Sequence, residues 1–322
     1  MKQLYSRKAV HIFWIVQFFF ITTVSNAQNS GHNFPPQTTY HYQKVKALSM
    51  FYREAGSKLN PTIVLLHGYP SSSHTYRNLI PLLATEYHVI APDNLGSGFS
   101  DRLDPDQVRY TFDTLANYTT ALLDSLGINN YIMYLQDFGA PVGFRMYAKN
   151  PKRISHLILQ NANAYLDGLT TDRQQFFKSA HDDTSASKIA FLFSLTSKEA
   201  IIKKQYLADI DSTLYHKQSP DAWIHDLYFL QSDADRKIQV QLFQDYYNNL
   251  LSYSAWQHLL RTYQPKTLIV WGKKDLKFTT NGATAYLRDL PHAELHLLNA
   301  GHFAAEEKPG EIALYILDFL KK

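Results

Sequence analysis

Three residues could do chemistry together: Asp137, Asp275 and His302, each following an apolar run that reads as a strand. Asp137 stands at the centre of Leu135-Gln136-Asp137-Phe138-Gly139, after Tyr131-Ile132-Met133-Tyr134 and before a helical pattern over 140–148. A strand that turns at once into a helix lifts the central side chain clear at the top of a sheet. Gly139 suits such a turn because a Cβ there would crowd it. The apex carries a carboxylate, which is a poor nucleophile toward an ester or amide carbonyl, since the product would be a labile anhydride. It suits displacement at an sp³ carbon, giving an ester that water then hydrolyses. His302, at a Gly301 turn, is placed to take a proton from that water, and Asp275, after Gly272, to orient its imidazole. Singly, Asp275 reads as a turn residue and His302 as a loop histidine. Their joint placement after strands carries the functional reading.

Other chemistries fit less well. Ser97 lies between Gly96 and Gly98 in a loop after an earlier strand, and no Gly-x-Ser-x-Gly occurs at the elbow. Gly96-x-Gly98 lacks the third glycine and following helix of a nucleotide fingerprint. The 14 His show no metal-binding spacing, so neither a metal nor any cofactor but water is expected. A net charge of +4 without a Lys/Arg run gives no argument for nucleic acid. The 22 Tyr and 19 Phe suggest an aromatic-lined interior.

Lys2, Arg7 and Lys8 precede an apolar stretch over 9–24 and then Ser25-Asn26-Ala27. This is the pattern of a cleaved secretory signal over 1–27, so the expected location is secreted or periplasmic, without a stable membrane anchor. His11 and Gln17 interrupt a run already short for a span. With no cysteine in the chain, neither a disulfide nor a lipid-modified thiol is available.

Strands are expected over 40–46, 49–54, 62–66, 87–91, 131–134, 155–160, 267–271 and 294–298. Helices are expected over 73–84, 113–126, 140–148, 280–290 and 309–320. This alternation predicts an α/β architecture with a mostly parallel, doubly wound sheet. It stops near Ala164. Helical patterns follow over 172–180, 187–193, 198–210, 221–230 and 238–251. The organisation expected is a core over 28–164, a helical cap over 165–256 inserted above the strand ends, and a second core part over 257–322.

Four stretches together resemble the α/β-hydrolase fold family, and within it the branch with an Asp nucleophile, the epoxide hydrolases and haloalkane dehalogenases. They are His67-Gly68-Tyr69-Pro70, residues 93–100, Gln136-Asp137-Phe138-Gly139, and Trp271-Gly272-Lys273-Lys274-Asp275 with Gly301-His302-Phe303. The chain order nucleophile, acid, His is that fold's order. The backbone N–H groups of Tyr69 and Phe138 are then the expected oxyanion donors. A small apolar organic substrate and water are the implied partners.

An opening epoxide needs an acid, which the resemblance supplies as phenols reaching down from the cap. A leaving halide needs N–H donors, typically Trp after the nucleophile and Asn after His-Gly. Here those positions hold Phe138 and Tyr69, whose side chains have no N–H. Tyr247 is the better match to an epoxide-activating tyrosine, with Tyr246 next; Tyr165 and Tyr206 are further candidates for contact with substrate. Gln136 and Leu135 look more like the dehalogenase side. Epoxide hydrolysis to a diol is therefore the expected activity, with haloalkane or haloacid dehalogenation as the alternative. A non-catalytic binding protein on the same fold is a third reading, whose signature would be a broken triad.

Overall fold

The computed structural model describes residues 35–322, and the expected signal segment lies outside them. Eight strands form one sheet in the order β1-β2-β4-β3-β5-β6-β7-β8. They are β1 (Thr39–Val45), β2 (Leu48–Ala55), β3 (Thr62–Leu66), β4 (His88–Pro92), β5 (Tyr131–Gln136), β6 (Ile154–Gln160), β7 (Lys266–Gly272) and β8 (Glu294–Leu298). The hairpin β1–β2 joins β4 antiparallel, and every pairing from β4 to β8 is parallel.

Strand alternation explains the two cores. Ile63, Leu65, Ile132, Tyr134, Ile158, Leu268 and Val270 pack on one face of the sheet. Val64, Leu66, Met133, Leu135, Leu157, Leu159, Ile269 and Trp271 pack on the other. Strands covered on both faces read as continuous apolar runs, which is why 62–66 and 267–271 stand out in the sequence. Winding reverses between β3 and β5, so the loops leaving these neighbours form the crevice where open α/β sheets hold ligands.

Helices cover the sheet. α1 (Ile80–Leu83) and the last two, α10 (Ala304–Glu307) and α11 (Pro309–Leu320), bracket the chain; α2 (Phe112–Ser125), α3 (Gly139–Lys149) and α9 (Thr280–Ala285) are the other connections. Between β6 and β7 the chain is helical: α4 (Thr171–Asp182), α5 (Ala186–Leu195), α6 (Pro220–Tyr228), α7 (Asp233–Asp245) and α8 (Tyr247–Tyr263). Asp245 and Gln241, one turn apart on α7, fasten this layer to the loop before α2. The Asp245 carboxylate accepts the Phe112 N–H at 2.8 Å and Gln241 accepts the Tyr110 N–H at 2.8 Å, while its amide donates to the Pro105 carbonyl at 2.7 Å. Among the described residues no helix is long and apolar enough to cross a membrane.

Several expected helices differ. The one over 73–84 is a 3₁₀ turn, Ser73–Tyr76, followed by α1, which carries in its first turn Pro81, a residue with no N–H to continue a helix from the turn before. The pattern over 198–210 forms a π-helical stretch, Ala200–Tyr206, closed by a bond from Leu207 N–H to the Ile202 carbonyl at 3.0 Å. The pattern over 238–251 is two helices meeting at Tyr246, and α8 runs on to Tyr263, across the expected boundary at 257.

Candidate active site

Asp137 sits at φ +48°, the left-handed conformation that lifts an apex residue off the end of β5. Two glycines make room for it. A Cβ on Gly139 would lie 2.2 Å from the Leu66 carbonyl oxygen, and one on Gly68 would lie 2.3 Å from the Asp137 Cβ. Gly68 in turn donates its N–H to Gln136 Oε1 at 3.0 Å, which ties the loop after β3 to the end of β5. Tyr69 N–H donates to Asp137 Oδ1 at 2.7 Å. Phe138 is the other residue expected to offer an oxyanion donor; it opens α3 and its ring is buried.

His302 Nε2 lies 3.4 Å from Asp137 Oδ2, and its Nδ1 lies 2.7 Å from Asp275 Oδ2. The three residues expected to act together are thus in contact, all at the carboxyl ends of strands. Four contacts hold the Asp275 carboxylate. Its Oδ1 accepts the N–H groups of Lys277 at 2.7 Å and Phe278 at 3.0 Å, and its Oδ2 accepts the Asn161 amide at 2.7 Å as well as facing His302. Burial alone would push the Asp275 carboxyl up, but His302, Lys277 and these N–H groups hold it below the usual carboxylate range. Burial likewise opposes charge on His302, yet Asp275 and Asp137 outweigh it and push the imidazole up to about 9. The free site therefore holds an imidazolium between two carboxylates at neutral pH.

Over Asp137 stand aromatic rings. Tyr69 and Phe243 meet at 4.8 Å, Phe138 and Tyr246 at 5.3 Å, and Tyr246 stacks on Phe177 at 3.9 Å. Tyr246 is buried, and burial first, then the neighbouring Tyr253 and the Asp137 charge, raise its phenol far above the ordinary value. The Tyr253 hydroxyl lies near that of Tyr246 outside hydrogen-bonding geometry and has no other partner. It too is raised by burial and feels Asp137.

Tyr247, the phenol expected to face the substrate, points elsewhere. Its ring packs on His181 at 5.6 Å and under the Lys178 amine, beside Leu250 on the outer surface of the helical layer. The cause is geometric: neighbouring residues at the junction of α7 and α8 point about 100° apart, so only Tyr246 can face inward. Tyr165 also departs from expectation. Its hydroxyl donates to Asp289 Oδ2 at 2.6 Å and its ring packs on Tyr286, away from Asp137. Tyr206 stacks at 4.3 Å on Phe303, the residue after His302, but its hydroxyl is committed to Asp226 at 2.5 Å.

Four supporting residues escaped the sequence reading. Gln160 and Asn161 end β6; Gln160 donates to the His302 carbonyl at 3.0 Å, and Asn161, at φ +46°, bridges Gly272 N–H and Asp275. Two amides closing an otherwise apolar strand were the available signal. Tyr253 sits within a helix whose other face is ordinary packing, and Asp209 sits in a turn of the helical layer with no motif around it.

Residues 61–309 match the model of the alpha/beta hydrolase fold family. An uncharacterized hydrolase of Saccharomyces cerevisiae is 38% identical over 275 residues, 84% of this chain and 92% of the relative. A cis-3-alkyl-4-alkyloxetan-2-one decarboxylase of Shewanella oneidensis is 28% identical over 80% of this chain and 81% of its own. Haloalkane dehalogenase 2 of Mycobacterium tuberculosis is 27% identical over 80% of this chain and 87% of its own. In shape, the haloalkane dehalogenase DbeA of Bradyrhizobium elkanii superposes with a TM-score of 0.68 at 23% identity, over 88% of this chain and 99% of its own. With the sheet order, the elbow and these matches together, the chain belongs to the α/β-hydrolase fold family and is an enzyme.

Proposed function

We propose that the enzyme hydrolyses epoxides through a covalent ester on Asp137. The observation that carries this reading is the pair of buried phenols, Tyr246, whose ring lies 5.3 Å from that of Phe138 beside the nucleophile, and Tyr253, both close enough to Asp137 for its charge to help hold their protons. Asp137 Oδ1 is already engaged by the Tyr69 N–H, so it becomes the carbonyl oxygen and leaves Oδ2 to attack. As the new C–O bond forms, the ring C–O bond breaks and its oxygen takes the Tyr246 proton. Burial keeps that phenol protonated until then. With the Asp137 charge gone, the His302 imidazolium gives its proton to the Tyr246 phenolate and, now neutral, removes one from water, whose oxygen adds to the ester carbonyl. The oxyanion falls to the N–H groups of Tyr69 and Phe138. Collapse, with the carboxyl proton passing to the departing alkoxide, releases the diol and restores the Asp137 carboxylate beside the imidazolium.

A second reading is dehalogenation, favoured by the dehalogenase relatives and by Gln136 before the nucleophile. Against it, the side chains of Tyr69 and Phe138 offer no N–H to a halide. The decarboxylase relative is named for a strained oxygen ring, which accords with an epoxide. The test is His302→Gln, exposed separately to mixed epoxides and mixed haloalkanes and read by intact mass and peptide mapping. Epoxide hydrolysis predicts an adduct on Asp137 that retains the whole epoxide mass. An alkyl adduct from the halides alone would transfer the enzyme to the second reading, and no adduct from either would remove Asp137 as nucleophile.

A further inference from the structure

Asp209 lies in the turn after the π-helical stretch, within the helical layer, yet its carboxylate reaches two loops of the sheet. Oδ2 accepts the His302 N–H at 3.0 Å and the Lys277 amine at 3.3 Å, and Oδ1 lies 3.4 Å from the Leu276 nitrogen. Lys277 also donates to the Gln205 carbonyl at 3.2 Å, so both partners are tied to the layer. The Asp209 side chain is 2% exposed and that of Lys277 10%. Gly301 permits this approach, since a Cβ there would lie 2.5 Å from that of Asp209. On its other side the His302 backbone is gripped by Gln160. A buried ion pair is weak as a source of stability alone, because desolvation offsets much of the attraction. Here the oxygen that receives Lys277 also holds the backbone of the base, and Leu276 and Lys277 follow directly on Asp275.

We propose that Asp209 is a positioning residue through which the helical layer fixes the loops of His302 and Asp275 in the geometry that activates water. This rests on the reading of Asp137 as nucleophile. His302 acts on water only when the ester is hydrolysed, so a loosened His302 slows that step and spares ester formation. The charged groups around His302 are Asp137 from the elbow, Asp275 and Lys277 from the loop after β7, Asp209, and Glu307 of α10, which accepts the Gly301 N–H at 2.7 Å. Asp209→Asn keeps an acceptor for the His302 N–H but leaves Lys277 without its counter-charge. An uncompensated cation disfavours the imidazolium. The acid limb of ester hydrolysis then moves to lower pH, and adding Lys277→Met moves it back.

The experiment follows formation and loss of the ester by quenched mass spectrometry, with styrene oxide as probe and 1-bromohexane as second probe. Wild type, Asp209→Ala, Asp209→Asn and Asp209→Asn/Lys277→Met are compared, with His302→Gln as trap. The double variant removes both buried charges and guards against simple misfolding. Asp209→Ala is expected to slow hydrolysis about tenfold while ester formation stays within about twofold. Unchanged hydrolysis and pH limbs, or both steps slowed alike, overturn the positioning role. Absence of ester in His302→Gln with both probes overturns the nucleophile reading instead, and the proposal with it.

Discussion

The charge on His302 depends on the chemical state of Asp137. In the free enzyme two carboxylates flank the imidazole and raise it to about 9, despite a burial that works the other way. In the mechanism proposed, esterification removes one of them, so the imidazole becomes a neutral base at the moment a base is needed. Asp137→Asn is a neutral analogue of the ester, and nitrogen NMR of labelled histidine should show His302 titrating clearly below 9 in that variant. The phenols give a second prediction at this scale. Tyr246→Phe should slow ester formation from an epoxide by about a hundredfold, as expected on loss of a general acid, and Tyr247→Phe by less than about twofold, read from single-turnover rates. Equal effects of the two changes would contradict the inward role of Tyr246.

Elements place these residues, and the ties between elements are few and specific. Asp245 meets the first N–H of α2, a group that helix geometry leaves without an internal partner. Asp245→Ala is expected to lower unfolding free energy by about 1–3 kcal/mol, measured by urea titration, because it strands a buried N–H. The strands and the elbow were legible in the sequence since each rests on a local rule. Continuous apolar runs mark strands covered on both faces, and a glycine two residues past Asp137 marks the turn. The inward phenol was not legible. Whether Tyr246 or Tyr247 faces Asp137 depends on where α7 stops and α8 starts, and a single helical pattern over 238–251 hides that junction. Asp209 was invisible for a different reason: its partners lie 67 to 93 positions away, and nothing local announces them.

At the scale of the molecule, the triad is a burial problem as well as a catalytic one. Asp137 is 6% exposed and His302 1%, so their charges are tolerated only as a mutually compensated set. A histidine raised on folding adds stability below its unfolded value, near 6.5, and that contribution is lost as pH rises through about 9. Wild type should therefore lose thermal stability between about pH 7 and 10 more steeply than Asp137→Asn, where less of the shift remains to be lost, as calorimetry across that range can test. The insertion of the whole helical layer between β6 and β7 has a consequence in time. During synthesis the elbow and its aspartate emerge first, the aromatic layer next, and the histidine only within the last strand-to-helix connection. A growing chain thus covers Asp137 before it possesses His302, and no partly made molecule holds all three members of the triad.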